Sequence, residues 1–87
     1  MNFIGKKAYI LGFMKCVAGE YCQVTLNNYL NGELIRNVIF GYSPSLDSDK
    51  DNIYLIEFRI ERVQNELIYA REYKILKLID RYGDFIS

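Results

Sequence analysis

Lys7, Tyr9, Phe13 and Lys15 stand at odd-numbered positions of one stretch, KAYILGFMK. In an extended strand successive side chains alternate between two faces, so these four share a face, with Leu11 among them. Ala8, Ile10, Gly12 and Met14 take the other face, and all are apolar or small. A solvent-facing strand normally presents polar groups. Two rings and a leucine between two cations offer something else: π-faces on which bases stack, and ammonium groups that hold phosphates. Each stacked base is worth ~1–3 kcal/mol without regard to its identity. The following strand adds Tyr21, Gln23, Thr25 and Asn27 on the side away from its apolar set. Tyr29, Tyr42 and Tyr54 border loops, and Arg36 can reach a phosphate. A plainer reading stands beside this one. The face can lie under a loop or a partner subunit, or both faces of a small barrel can be partly buried. A Tyr at a strand end commonly buries its ring and wets its hydroxyl, and Arg36 can pair with Glu33.

Other side chains offer less. The chain has no His and two Cys, too few for a zinc site and lacking the usual acid–base group near neutral pH. Asp47, Asp49 and Asp51 alternate like calcium ligands. An EF-hand loop also needs Gly at its sixth position and Glu at its twelfth, where this chain has Asn52 and Phe58. A solvated loop is the expectation. Glu57, Arg59, Glu61 and Arg62 read as a charged solvent face or a dimer edge, not as a hydrolytic carboxylate pair. No nucleophile–base pair or metal set can be named, so neither enzymatic activity nor a cofactor is expected. Cys16 and Cys22 flank the first turn and can face each other across a hairpin. Reduced core thiols are the expectation.

The elements that must position these residues are mostly strands. The first runs from about Lys6 to Cys16, followed by a turn at VAGE. Tyr21 to Asn27 alternates, with Cys22, Val24 and Leu26 inward. NNYLNGE then holds Asn31-Gly32, the strongest short hairpin signal. A third strand is expected over Leu34 to Tyr42 and a fourth over Ile53 to Val63, joined by the polar loop SPSLDSDKDN. The last segment, Leu67 to Ile79, contains good helix formers. Its apolar residues nevertheless scatter around a helical wheel instead of forming one stripe. A long strand, bulged near Arg71-Glu72, fits better, with a short C-terminal helix as the alternative. Five strands with the longest connection after the third suit a small Greek-key barrel of the OB type, where a helix or loop occupies that place. An SH3-like barrel, or a β-meander with a C-terminal helix, also fits.

The 87 residues make one domain, 51% hydrophobic and 15% aromatic, enough for a packed core and too apolar for a disordered chain. Eleven basic and eleven acidic groups cancel, so no bulk field draws nucleic acid. Residues 1 to 46 hold four basic and two acidic groups, so a local patch is compatible with neutrality. No apolar run is long enough for a membrane helix, and the start MNFIGKKAY lacks a signal peptide's apolar region. A cytoplasmic protein with no membrane association is expected.

KAYILGFMKCVAGEYCQVTL, followed by EFRIERVQNELIYAREYKILKLI, resembles the small single-stranded-DNA-binding proteins of phages and mobile elements. The likeness lies in the order of elements: a Lys/aromatic first strand, a tight hairpin, a variable middle and a closing hairpin. It implies an OB-type barrel, frequently a homodimer. Single-stranded DNA would then be held by Lys7, Tyr9, Phe13, Lys15, Tyr21 and Arg36, with Tyr29 and Tyr42 beside them. Neutral charge departs from that group's usual positive surface. The tail Tyr82–Ser87 resembles the acidic, apolar partner-recruiting tips of bacterial single-strand-binding proteins, although an ordinary packed terminus also fits. The competing expectation is a small phage or mobile-element protein that binds a host protein, such as a defence nuclease, and inhibits or regulates it. Tyr and Arg suit protein interfaces, and the acidic loop 47–51 can mimic DNA phosphates.

Overall fold

The computed structural model describes residues 3–47 and 53–79. Five strands, β1 (Lys7–Val17), β2 (Tyr21–Leu30), β3 (Glu33–Gly41), β4 (Ile53–Gln64) and β5 (Leu67–Ile79), close into a barrel in the order β1-β2-β3-β5-β4. One short helix, α1 (Pro44–Asp47), follows β3. All neighbours are antiparallel except β3 and β5, which pair in parallel over Asn37–Ile39 and Leu67–Tyr69. This is the small OB-like barrel expected from the strand count and the long third connection.

β1 belongs to both halves of the barrel. Lys7–Phe13 pairs with β4, whereas Met14–Val17 pairs with β2. The strand changes partner just past Gly12, where a Cβ would come within 2.7 Å of Val24 Cγ1. Glycine therefore lets β1 pass close over β2 as it turns from one neighbour to the other. The expected alternation holds: Ile10 and Met14 are buried, and Lys7, Tyr9, Leu11, Phe13 and Lys15 are exposed.

β2 runs three residues past its expected end. A register shift between Thr25 and Asn28 absorbs an extra residue, and pairing with β3 continues to Leu30↔Glu33. The turn itself is only Asn31-Gly32, both at positive φ, which is what a two-residue hairpin requires. β5 is a strand throughout its length. Glu72 has φ 50° and is skipped in the β4 register, because Arg59 faces Arg71 while Phe58 faces Tyr73. The bulge thus falls where the sequence placed it. The helical alternative for Leu67 to Ile79 is therefore not what forms. Residues beyond Ile79, including the tail, lie outside the described residues, as do residues 48–52.

The core comprises Ile10, Met14, Cys22, Val24, Ile35, Val38, Phe40, Tyr54, Ile56, Phe58, Ile60 and Ile68, with Leu46 of α1 fully buried among them. Phe40 meets Phe58 and Tyr73 edge-on, at centroid distances of 5.5 and 5.9 Å. Before β1, Phe3 packs against this core, and Gly5 N donates to Ile60 O at 2.7 Å.

The cysteines correct an expectation. Cys16 and Cys22 are joined as a disulfide and are not free thiols. They are directly opposed in the β1–β2 register, with Cα atoms 3.9 Å apart. Facing positions of an antiparallel pair bring their side chains together, so the hairpin register itself makes the bond. It closes the turn in which Gly19 takes positive φ and Glu20 N donates to Val17 O.

Candidate functional site

The partner change in β1 divides its outward stripe between two surfaces. Lys7, Tyr9 and Leu11 face outward beside β4, opposite Arg59, Glu57 and Leu55. Tyr9 OH donates to Glu57 Oε2 at 3.0 Å, and Lys7 Nζ lies 3.9 Å from the same carboxylate. The hydrogen bond to Glu57, followed by lost hydration and that carboxylate's charge, raises the Tyr9 hydroxyl above the ordinary tyrosine pKa. This end of the stripe is therefore electrically balanced and already bonded. Phe13 stands at the junction, opposite Ile53.

Lys15 and Val17 continue the stripe onto the other surface, opposite Gln23 and Tyr21 of β2. From there the registers run on across the barrel. Gln23 faces Ile39, and Ile39 faces Tyr69, so Lys15, Gln23, Ile39 and Tyr69 form one row across four strands. Thr25, Asn37 and Leu67 form a second row below it, with Thr25 Oγ1 donating to Asn37 Oδ1 at 2.9 Å. Tyr21 and Gly41 lie above.

These rows floor an open groove of about 660 Å³, lined among others by Tyr21, Gln23, Asn37, Ile39, Arg62 and Tyr69. The Arg62 guanidinium carbon sits 3.9 Å from the Tyr69 ring centroid, a cation–π contact, while its Nη1 donates to Glu61 Oε2 at 3.1 Å. Glu20, from the disulfide-closed turn, borders the groove near Tyr21. The groove thus offers two rings, amide groups and one guanidinium, offset by two carboxylates. Such a surface stacks and hydrogen-bonds more readily than it attracts a polyanion over distance.

The remaining expected residues are dispersed. Arg36 lies where the β4–β5 turn meets β3. Its Nε donates to the Glu66 carboxylate, and its backbone N donates to Glu66 O at 2.7 Å. Its ion-pair partner is Glu66, not the sequence neighbour Glu33. Tyr29 is 69% exposed near the β2–β3 hairpin tip, away from the groove lining. Tyr42 packs against the core, and its hydroxyl donates to Asp47 Oδ2 at 3.2 Å. Burial first, then Asp47, raises its pKa above the usual value. It fastens α1 to the end of β3. Of the eight residues expected to bind, Tyr21 lines the groove, and Lys15 stands on β1 opposite the lining residue Gln23. Lys7, Tyr9 and Phe13 belong to the neighbouring wall.

Asn37, Ile39, Arg62 and Tyr69 went unrecognised as site residues. No local pattern marks them, because the parallel β3–β5 pairing joins positions about thirty residues apart. The one legible signal was Arg62 within an exposed alternating strand.

Fold and groove together define a class: a small OB-like β-barrel with an open, weakly charged groove across its β2–β3–β5 face. No protein-family model, curated protein or solved structure matches the chain. Among the described residues no group of His, Cys, Asp or Glu is arranged to hold a metal ion, and no helix is long and apolar enough to cross a membrane.

Proposed function

We propose that the protein is a non-enzymatic single-stranded-nucleic-acid-binding barrel, with single-stranded DNA as its ligand. The observation that carries this reading is the four-strand row Lys15–Gln23–Ile39–Tyr69, flanked by Tyr21 and Arg62. The β2–β3 face is where OB barrels receive oligonucleotides. Bases stack on Tyr21 and against the Arg62–Tyr69 pair, Gln23 and Asn37 bond to base edges, and Lys15 holds a phosphate. This reading keeps Lys15 and Tyr21 as binding residues, adds Arg62 and Tyr69, and leaves Tyr9 and Phe13 outside the ligand path. The resemblance to phage and mobile-element proteins supplies the setting.

The cytoplasmic location belongs to the same proposal and is in tension with the Cys16–Cys22 bond, because a reducing pool opens disulfides. In that compartment the working form is the dithiol, and the groove keeps its rows through the backbone ladder alone.

The test is fluorescence anisotropy of labelled oligo(dT) with purified protein. Tyr21→Ala and Tyr69→Ala should each weaken binding by roughly 5- to 150-fold, the loss of one stacking contact. Tyr9→Ala should leave it unchanged. No saturable binding by the native chain at high protein concentration would overturn the reading and favour regulation of a host protein. The half-exposed Leu11 and Phe13 are the observation behind that second reading.

A further inference from the structure

Glu20 lines the groove beside Tyr21, yet stacking and phosphate contacts leave its carboxylate without a task. Near a phosphate backbone it repels. The other carboxylate of the groove, Glu61, is engaged by Arg62 Nη1 at 3.1 Å. Among the described residues the ion pairs are Lys7–Glu57, Arg36–Glu66, Arg59–Glu72 and Arg62–Glu61, and none takes up Glu20. The β1–β2 turn sets its place: Gly19 takes positive φ, and Glu20 N donates to Val17 O at 2.9 Å. Tyr21 faces Gly41 in the β2–β3 register, so no β3 side chain stands over its ring. A Cβ on Gly41 would meet nothing within 4 Å, and that space is open. Gln23 follows two residues on and shares the groove face with Tyr21.

Hydrogen-bond chemistry narrows what can occupy this corner. A carboxylate only accepts hydrogen bonds, so it seats best against two adjacent donors. Unstacked bases present their pairing edges to side chains. The thymine edge holds one imino N–H between two carbonyl oxygens. Adenine and cytosine each set an amino group beside a bare ring nitrogen. In all three an acceptor lone pair lies against one of the carboxylate oxygens. Guanine alone sets an imino N–H beside an amino group, two donors side by side for the two oxygens. Its 6-carbonyl is left to accept from an amide such as that of Gln23.

We propose that the groove selects guanine: the base stacks on Tyr21, its imino and amino hydrogens go to the Glu20 carboxylate, and its carbonyl accepts from Gln23. The inference rests on the single-strand reading of the groove. Bonds to an ionised group are about twice as strong as neutral ones. Glu20 repels phosphate whatever the base, so its charge is offset only where guanine sits on Tyr21. A chain with eleven charges of each sign thereby gains base preference in place of long-range attraction.

Anisotropy with labelled strands of about ten nucleotides, within the site size of one barrel, reads the outcome. One strand is all thymine, a second carries a single central guanine, and a third carries inosine there. Inosine keeps the purine ring and lacks only the 2-amino group. The guanine strand should bind roughly 5- to 150-fold more tightly than the thymine strand, the discrimination of one bidentate pair. The inosine strand should fall between them, which separates bonding from the stacking of a larger ring. Glu20→Gln keeps the side chain's size, removes its charge, and should bring the guanine and inosine strands to one affinity. Glu20→Ala serves as a second variant, with no acceptor left at all. Equal affinities of the native chain for all three strands would overturn the guanine assignment and leave the groove reading standing. A guanine preference unchanged in both variants would overturn it too, because another group then reads the base. Loss of binding to every strand would overturn the groove reading and this inference with it.

Discussion

Gly12 shows how one residue's lack of a side chain shapes the barrel. Its φ is not in the left-handed region, so backbone freedom is not the issue. Space is: an added methyl would press on Val24 Cγ1 at 2.7 Å, and Val24 is fully buried with no room to swing away. Gly12→Ala should cost about 1–3 kcal/mol, the range for overpacking a filled core. Urea unfolding measures it, and the double variant Gly12→Ala/Val24→Ala decides its cause. If the clash is responsible, the two changes should combine to less than the sum of their separate costs. Additive losses would mean that the strand crossing is not limited by this contact. The alternation of small and apolar residues in KAYILGFMK reveals that Gly12 points inward. It does not reveal which side chain lies opposite, because β2 approaches only through the hairpin.

Among elements, the β1–β2 hairpin is the most constrained and lies nearest the groove. Its disulfide spans a sequence separation of 6, a short loop. On the chain-entropy account a bond closing so short a loop stabilises by about 2 kcal/mol. A dithiol reductant should therefore lower the unfolding free energy by that amount, read as a fall of about 1–2 M in the urea midpoint. The rows that floor the groove are held by the backbone ladder, so oligo(dT) binding should survive reduction. Thiol alkylation before reduction should label nothing. A midpoint indifferent to reductant would show that the backbone ladder alone secures the hairpin. The cysteine spacing and the turn residues between them were legible in the chain, and they placed the thiols face to face. The prior from compartment argued for reduction, whereas the register argues for the bond. Across the barrel, β5 shows the converse. Its helix-forming composition competed with its pattern, and the pattern prevailed because the strand is held by β4 along its length and by β3 at its start.

At the scale of the whole molecule, neutrality sets the character of any nucleic-acid binding. Arg62 lines the groove and is shared with Glu61, and Lys15 stands at the β1 end of the row, opposite Gln23. With about two phosphate contacts, the slope of log K against log salt for a single strand should lie between about −1 and −2. Anisotropy titrations at several salt concentrations yield it. A slope of about −3 or steeper would mean that the strand runs instead over the lysines of β5.

By itself the sequence determined what local chemistry can determine. Period-two alternation marked the first, second and fourth strands, the lack of a helical stripe favoured a strand for the fifth, Asn31-Gly32 marked a hairpin, and Arg71-Glu72 marked a bulge, because each depends on residues close along the chain. The long connection after the third strand pointed to the barrel class, since the order of elements is also written in sequence. The grouping of side chains on the outer surface needed the tertiary structure. Lys7 to Lys15 form one stripe in sequence, but β1 exchanges β4 for β2 just past Gly12, and that exchange divides the stripe between two surfaces. Tyr69 reaches the surface shared with Lys15 only because β5 returns in parallel beside β3. Pairings between distant segments form through barrel closure, and no short window of residues contains the information for them.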